Sequence, residues 1–274
     1  MPFLERDFGT THYKIDGSEH KECVLLIHGG SMGLWQYEPI TELFSNHGLC
    51  VIRYDLIGHG LSSYPEDEFH FSLLERQSIE VFDTLCRQFD TVYVIGHSLG
   101  AAVAASLLAH RETEITKTVL TAPMLDFIST ELSTKVLRTP YLGYSLMGML
   151  GRFYLKQRRL NCLANSGAMH LKEQLENQYS RTDYWKVILK LLRGDALESK
   201  ERLYEALQQK DVSIIYGTSD HVIPEHHFKS IQQLMSIAND KVRTLQGSPH
   251  DLFLKSTNQT FDTIIDVLGL SATP

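Results

Sequence analysis

No stretch of this sequence approaches the ~20 consecutive apolar residues that a membrane-spanning helix needs, so no bilayer span is expected. Basic residues are in deficit: 26 Lys and Arg stand against 33 Asp and Glu, leaving a net charge of −7. A nucleic-acid partner would want a basic face, and none is expected. Cysteine is scarce, and positions 23, 50, 86 and 162 contain no C-x-x-C pair. They read as reduced, buried thiols of a cytoplasmic protein rather than a disulfide framework. The first residues, MPFLERDFGT, carry acids and bases where an export signal would hold an apolar stretch. Internal repeats and low-complexity tracts are also missing. What remains is a composition ordinary for a soluble enzyme, 43% hydrophobic and 22% charged, on a chain long enough for a sizeable core.

Apolar runs alternate with helical stripes along most of the chain. Strands are expected at 23–28 (CVLLIH), 49–55, 92–95, 117–121, 212–216 and 241–245. Helices are expected at 35–46, 74–89, after residue 98, near 225–237 and within 261–268. Residues 11–15 suit an antiparallel edge strand turning at Asp16-Gly17. Strand-helix repetition predicts an α/β fold with a mostly parallel sheet flanked by helices. The pattern stops from 123 to 199, a stretch far longer than an αβ loop of about 2–6 residues. Its apolar pieces, 132–137, 141–155 and 184–192, look helical. The expected organisation is therefore a core of residues 1–122 and 200–274 with a helical cap inserted at 123–199.

Chemistry concentrates at residues 92–110. Val92, Tyr93, Val94 and Ile95 run into Gly96-His97-Ser98-Leu99-Gly100, and an almost wholly apolar helix follows. G-x-S-x-G between strand and helix is a nucleophile elbow, a sharp turn that lifts a serine hydroxyl clear of the sheet. Ser98 is the candidate nucleophile, with the N-terminus of the new helix favouring negative charge beside it. His97 neighbours it in the chain, so its ring should leave the turn in another direction. In such a site the acid and then the histidine follow the serine. His250 sits after the last strand, where the base belongs. His221, His226 and His227 crowd one loop, His110 ends a helix and His170 lies in the cap, so all are weaker rivals. Asp220, on a Gly-x-x-Asp turn after the strand at 212–216, is the expected acid, with Asp126 as the other position. Oxyanion donors would be the backbone N–H groups of Leu99 and Gly30. His28 and the loop Asp55-Leu-Ile-Gly-His-Gly-Leu-Ser62 are expected to be structural. No metal site is expected, because the triple-histidine loop lacks supporting acid or cysteine spacing.

The set HGG (28–30), D-x-x-G-H-G-x-S (55–62), GHSLG (96–100), G-x-x-D-x-x-x-P (217–224) and GSPH (247–250) resembles the α/β-hydrolase superfamily. Within it, LTAPML (120–125), NCLANS (161–166) and RTDYW (181–185) look like the monoacylglycerol lipase and lysophospholipase branch. That resemblance implies a cofactor-free serine hydrolase of single-chain lipid esters, working through an acyl-enzyme. A small-ester carboxylesterase or a C–C bond hydrolase would use the same triad, and some relatives of this fold are non-enzymatic receptors. Ile57, Ala101 and Asp251 depart from the usual residues of relatives and bear on the substrate. Residues 141–155, rich in Leu, Met and aromatics, suit an acyl tunnel, a membrane-facing surface or packing of the cap on the core. Lys156, Arg158 and Arg159 beside them are expected to form a solvated cationic edge.

Overall fold

The computed structural model describes residues 2–65, 69–127, 136–139, 141–180 and 184–270. Continuous apolar runs become strands covered on both faces. β1 (Phe3–Arg6), β2 (Gly9–Asp16), β3 (Glu22–Ile27), β4 (Leu49–Tyr54), β5 (Thr91–His97), β6 (Lys117–Thr121), β7 (Val212–Gly217) and β8 (Val242–Leu245) form one sheet. Its order is β1-β2-β4-β3-β5-β6-β7-β8. Strands β3 to β8 are parallel, whereas β2 runs antiparallel to both β4 and β1. Side chains alternate across the sheet, as the two-residue period of a strand requires. From β3, Cys23, Leu25 and Ile27 enter one core, while Val24 and Leu26 enter the other with Tyr37, Ile40 and Phe44. All four cysteines are free and buried.

Three local expectations need correction. Residues 11–15 lie in the second strand, because the short, half-charged segment Phe3–Arg6 pairs outside them and takes the edge. The stripe read as one helix over 74–89 is α2 (Phe71–Val81) followed by a π-helical turn, Phe82–Cys86. The wider turn keeps Phe82, Leu85 and Cys86 buried. The stripe at 35–46 likewise opens as a 3₁₀ turn, Leu34–Tyr37, before α1 (Glu38–Asn46), whose first turn contains proline.

α3 (Leu99–Arg111) leaves the end of β5 and is buried from Leu99 to Leu108. Between β6 and β7 the described residues add helices and no strand. The first of these are α4 (Leu142–Leu146), α5 (Arg152–Asn165), α6 (Lys172–Ser180) and α7 (Tyr184–Arg193). Glycine-rich residues 147–151 interrupt the expected 141–155 helix as a second π-helical turn. Residues 132–135 of one predicted apolar piece, and 181–183 of the RTDYW motif, lie outside the described residues. An apolar cluster joins this helical segment to the loop after β3, through Leu163, Leu171 and Leu175 against Met32 and Trp35. α8 (Glu201–Glu205), α9 (Glu225–Leu234), α10 (Leu252–Lys255) and α11 (Thr257–Leu268) complete the chain. No helix among the described residues is long and apolar enough to cross a membrane.

Candidate active site

Ser98 stands between β5 and α3 with φ 55° and ψ −115°, a conformation that L-residues avoid and that marks stored strain. Its flanking glycines are obligatory. A Cβ on Gly96 would come within 2.1 Å of the Gly100 carbonyl oxygen, and one on Gly100 within 2.2 Å of the Ile27 oxygen. A Cβ on Gly29 would crowd the Ser98 Cβ at 3.3 Å, and one on Gly30 would meet Leu99 Cδ2 at 3.2 Å. The loop after β3 thus lies directly against the elbow. Leu99 is the first residue of α3, so its N–H has no intrahelical acceptor.

Loops 217–220 and 245–250 are knitted together at the sheet's C-terminal edge. Thr218 and Ser219 donate backbone hydrogen bonds to Leu245 and Ser248, both at 3.0 Å. Gly217 packs so closely that a Cβ there would lie 2.0 Å from the Ser248 oxygen. This contact brings His250 Nδ1 to 2.8 Å from Asp220 Oδ2. The other carboxylate oxygen accepts from the amides of Val222 and Ile223 at 2.8 and 2.9 Å. Burial alone would raise the Asp220 carboxyl. The His250 hydrogen bond and charge, with those two amides, hold it below its ordinary value instead. The acid paired with His250 is therefore Asp220, not Asp126.

His97 is buried and points elsewhere. Thr121 Oγ1 donates to the Gly96 carbonyl at 3.0 Å, so it accepts from His97 Nδ1 at 3.1 Å. Burial, and then the nearby His250 ring, push His97 down to about 3. Its neutral ring lies 4.9 Å, centroid to centroid, from that of His250.

Buried polar groups support the loop after β3. His28 Nε2 accepts from the Leu56 amide at 2.9 Å, which leaves Nδ1–H to donate to the Gly29 carbonyl at 2.8 Å. Burial, followed by the His59 ring, lowers His28 to about 3. His59 Nε2 reaches the Gly30 carbonyl at 2.9 Å. Asp55 accepts from the Leu34 amide at 2.7 Å and the Leu61 amide at 3.0 Å, and contacts His12 Nδ1 at 2.7 Å. Burial opposes its charge, but His12, His28 and the two amides hold its carboxyl below the usual range. His28, Asp55 and His59 thus hydrogen-bond the loops after β3 and β4 to one another.

Ser98, Leu99, Gly30 and His250 share the wall of one cavity of about 500 Å³. The remaining wall is largely apolar and includes Phe127, Leu146, Met147, Leu155, Ile188 and Leu191. Arg158 and Arg159 also line it. Arg159 departs from the expected solvated edge: only 16% exposed, it is bonded to Asp251 and Ser31. Lys156 pairs with Glu176 at 3.5 Å, and Arg158 is exposed. The pairing of Arg159 with Asp251 was not foreseen, because no motif links positions 92 residues apart.

A mostly parallel eight-stranded sheet with a strained serine at its elbow defines an α/β hydrolase. The chain belongs to the serine aminopeptidase S33 family, whose sequence model matches residues 18–256. A monoglyceride lipase of Mus musculus is 27% identical over 137 residues, covering 48% of this chain and 45% of that protein. A probable lysophospholipase of Arabidopsis thaliana is 23% identical over 284 residues, 93% of this chain and 66% of that one. These names match the branch that the motifs resemble. An enol-lactonase from Burkholderia xenovorans LB400 shares the fold at a TM-score of 0.78 and 18% identity, covering 98% of this chain and 100% of that one. The chain spans between 25% and 66% of the length of the first curated relatives it matches.

Proposed function

We propose that this chain hydrolyses carboxylic esters of a single acyl chain, with Ser98, His250 and Asp220 as its catalytic triad. One observation carries the reading: His250, held by Asp220 at 2.8 Å, lines the same apolar cavity as the strained Ser98. In this reading Ser98 Oγ attacks the ester carbonyl while His250 Nε2 takes its proton. Asp220, holding Nδ1–H, fixes the tautomer and stabilises the imidazolium. The Leu99 and Gly30 N–H groups receive the developing oxyanion, each worth ~3 kcal/mol in the transition state. His28 assists by binding the Gly29 carbonyl, because a trans peptide turns the Gly30 N–H to the opposite side. The tetrahedral species collapses by breaking the ester C–O bond, and the leaving alcohol takes the proton from His250. Water then attacks the acyl-enzyme by the same proton route and releases the fatty acid.

Residues 123–199 act as a cap over a core of 1–122 and 200–274. Its Leu, Met and Ile side chains supply an apolar wall for the acyl chain. The names of the lipase and lysophospholipase relatives support a lipid ester over a small polar one. Tyr141, Met149, Phe153 and Tyr154 are 63–88% exposed and offer a transient contact with the lipid surface that presents the substrate.

A fluorophosphonate should label the wild type at Ser98, and Ser98→Ala should lose both labelling and ester turnover. Across a series of monoacylglycerols and lysophospholipids, kcat/KM should climb roughly fourfold per methylene, from ~0.8 kcal/mol per buried CH₂, until the cavity fills. A flat profile favouring acetyl esters would remove the lipid assignment and leave a small-ester hydrolase.

A further inference from the structure

We infer that Arg159 is a positioning residue for the hydrolysis proposed above, on which this inference rests: one guanidinium from the cap ties the oxyanion loop to the histidine loop. From α5, Arg159 Nη1 donates to Asp251 Oδ1 at 3.0 Å, and Nη2 donates to the Ser31 hydroxyl. Ser31 directly follows Gly30, and Asp251 directly follows His250. The two partners are therefore each one peptide unit from a group assigned to the chemistry. Both side chains of the ion pair are only 16% exposed, so little water competes for either. The second Asp251 oxygen accepts from Cys162 Sγ at 3.0 Å. Cys162 lies three residues beyond Arg159 on the same helical face, so α5 grips this carboxylate twice.

The oxyanion loop is thereby held from two sides. His28, His59 and Asp55 fix it from the core. From the cap, Gln178 donates to the Met32 carbonyl at 3.3 Å and accepts from Trp35 Nε1 at 2.8 Å. Arg159 alone of these reaches the histidine loop as well. A planar fork carrying several N–H groups can serve two acceptors in different directions, which an ammonium on a flexible stem does poorly. The Arg159 charge is already met by Asp251, which argues for positioning rather than for capture of an anionic substrate. Tertiary contact of the cap is on this view a condition for an assembled site, not only a wall for the acyl chain.

The test uses the full chain, with kcat and KM on a soluble nitrophenyl ester expressed per active site titrated by a fluorophosphonate. Arg159→Met should lower kcat by about 10²-fold, the scale of losing one oxyanion donor, with KM changed less than threefold. Arg159→Lys should recover little of this, whereas methylguanidinium added to Arg159→Met should restore kcat at least tenfold. Should Arg159→Met fail to fold, Ser31→Ala removes only a hydroxyl and should lower kcat several-fold at constant KM. Unchanged kcat per titrated site with a lowered Tm and no rescue would overturn the inference, leaving Arg159 a structural tie. A rise in KM alone would overturn it too, making Arg159 a substrate contact. Absence of Ser98 labelling in the wild type would sink the ester-hydrolase reading itself, whatever the Arg159 variants do.

Discussion

The floor and the roof of the cavity are built on different physical terms. The floor, at the C-terminal edge of the sheet, is a set of tight backbone approaches and directed hydrogen bonds. Gly96, Gly100 and Gly217 admit no side chain there, because a Cβ on any of them would meet backbone oxygen at 2.0–2.2 Å. Buried Asp55, His28 and His97 each have defined partners. The roof, from α4 to α7, meets the cavity mostly with Leu, Met and Ile, and its outer side leaves Met149 and Phe153 79% and 75% exposed. Apolar contact asks for size and shape rather than identity. The floor therefore dictates its residues, while the roof tolerates alternatives.

The sharpest way to break this contrast is to strike the floor at one atom. Asp220→Asn should preserve the fold and lower kcat by about 10⁴-fold, by analogy with serine proteases. Asp126→Asn should stay within a few-fold, and steady-state kinetics on a soluble ester would show the ordering. The reverse ordering would transfer the acid to position 126.

Acid should weaken the floor next. His28 and His97 are both held neutral, down to about 3, while in the unfolded chain such rings titrate near 6.5. Below pH 6.5 the unfolded state binds protons that the folded state refuses, so stability falls as pH falls. The loss continues until about pH 3 and amounts to about 2 kcal/mol per ring at pH 5. Thermal melts from pH 8 to pH 4 should show Tm steady above neutrality and declining below 6.5. A Tm that holds constant to pH 4 would mean the rings are hydrated or charged in the fold. The smallest effect belongs to the roof. Met149→Ser with Phe153→Ser should leave turnover of a short soluble ester unchanged and weaken binding to neutral lipid vesicles by roughly tenfold, from ~1.4 kcal/mol of lost apolar insertion. Equal losses on both substrates would place these side chains in the cavity's chemistry instead.

Legibility followed the same divide. The strands at 23–28, 49–55 and 117–121, the elbow at Ser98 and the His250 loop were readable because each rests on a local rule. Fully buried strands need unbroken apolar runs, and a turn without room for Cβ needs glycine. β1 escaped notice because Phe3–Arg6 owes its extended form to pairing with β2 rather than to its own pattern. The interruption of 141–155 was signalled by its glycines, but its placement was not.

The sequence alone determined the parallel strands, the elbow at Ser98 and the loops that carry His250 and Asp220, since those depend on neighbours within a few positions. Tertiary structure decided which acid meets His250, through the 2.8 Å contact of Asp220. It also decided that Arg159, read as a surface charge, lies half-buried between Ser31 and Asp251. Those partners stand 128 and 92 residues away. A charge's partner is set by where chain folding leaves it in three dimensions, and no local pattern records that.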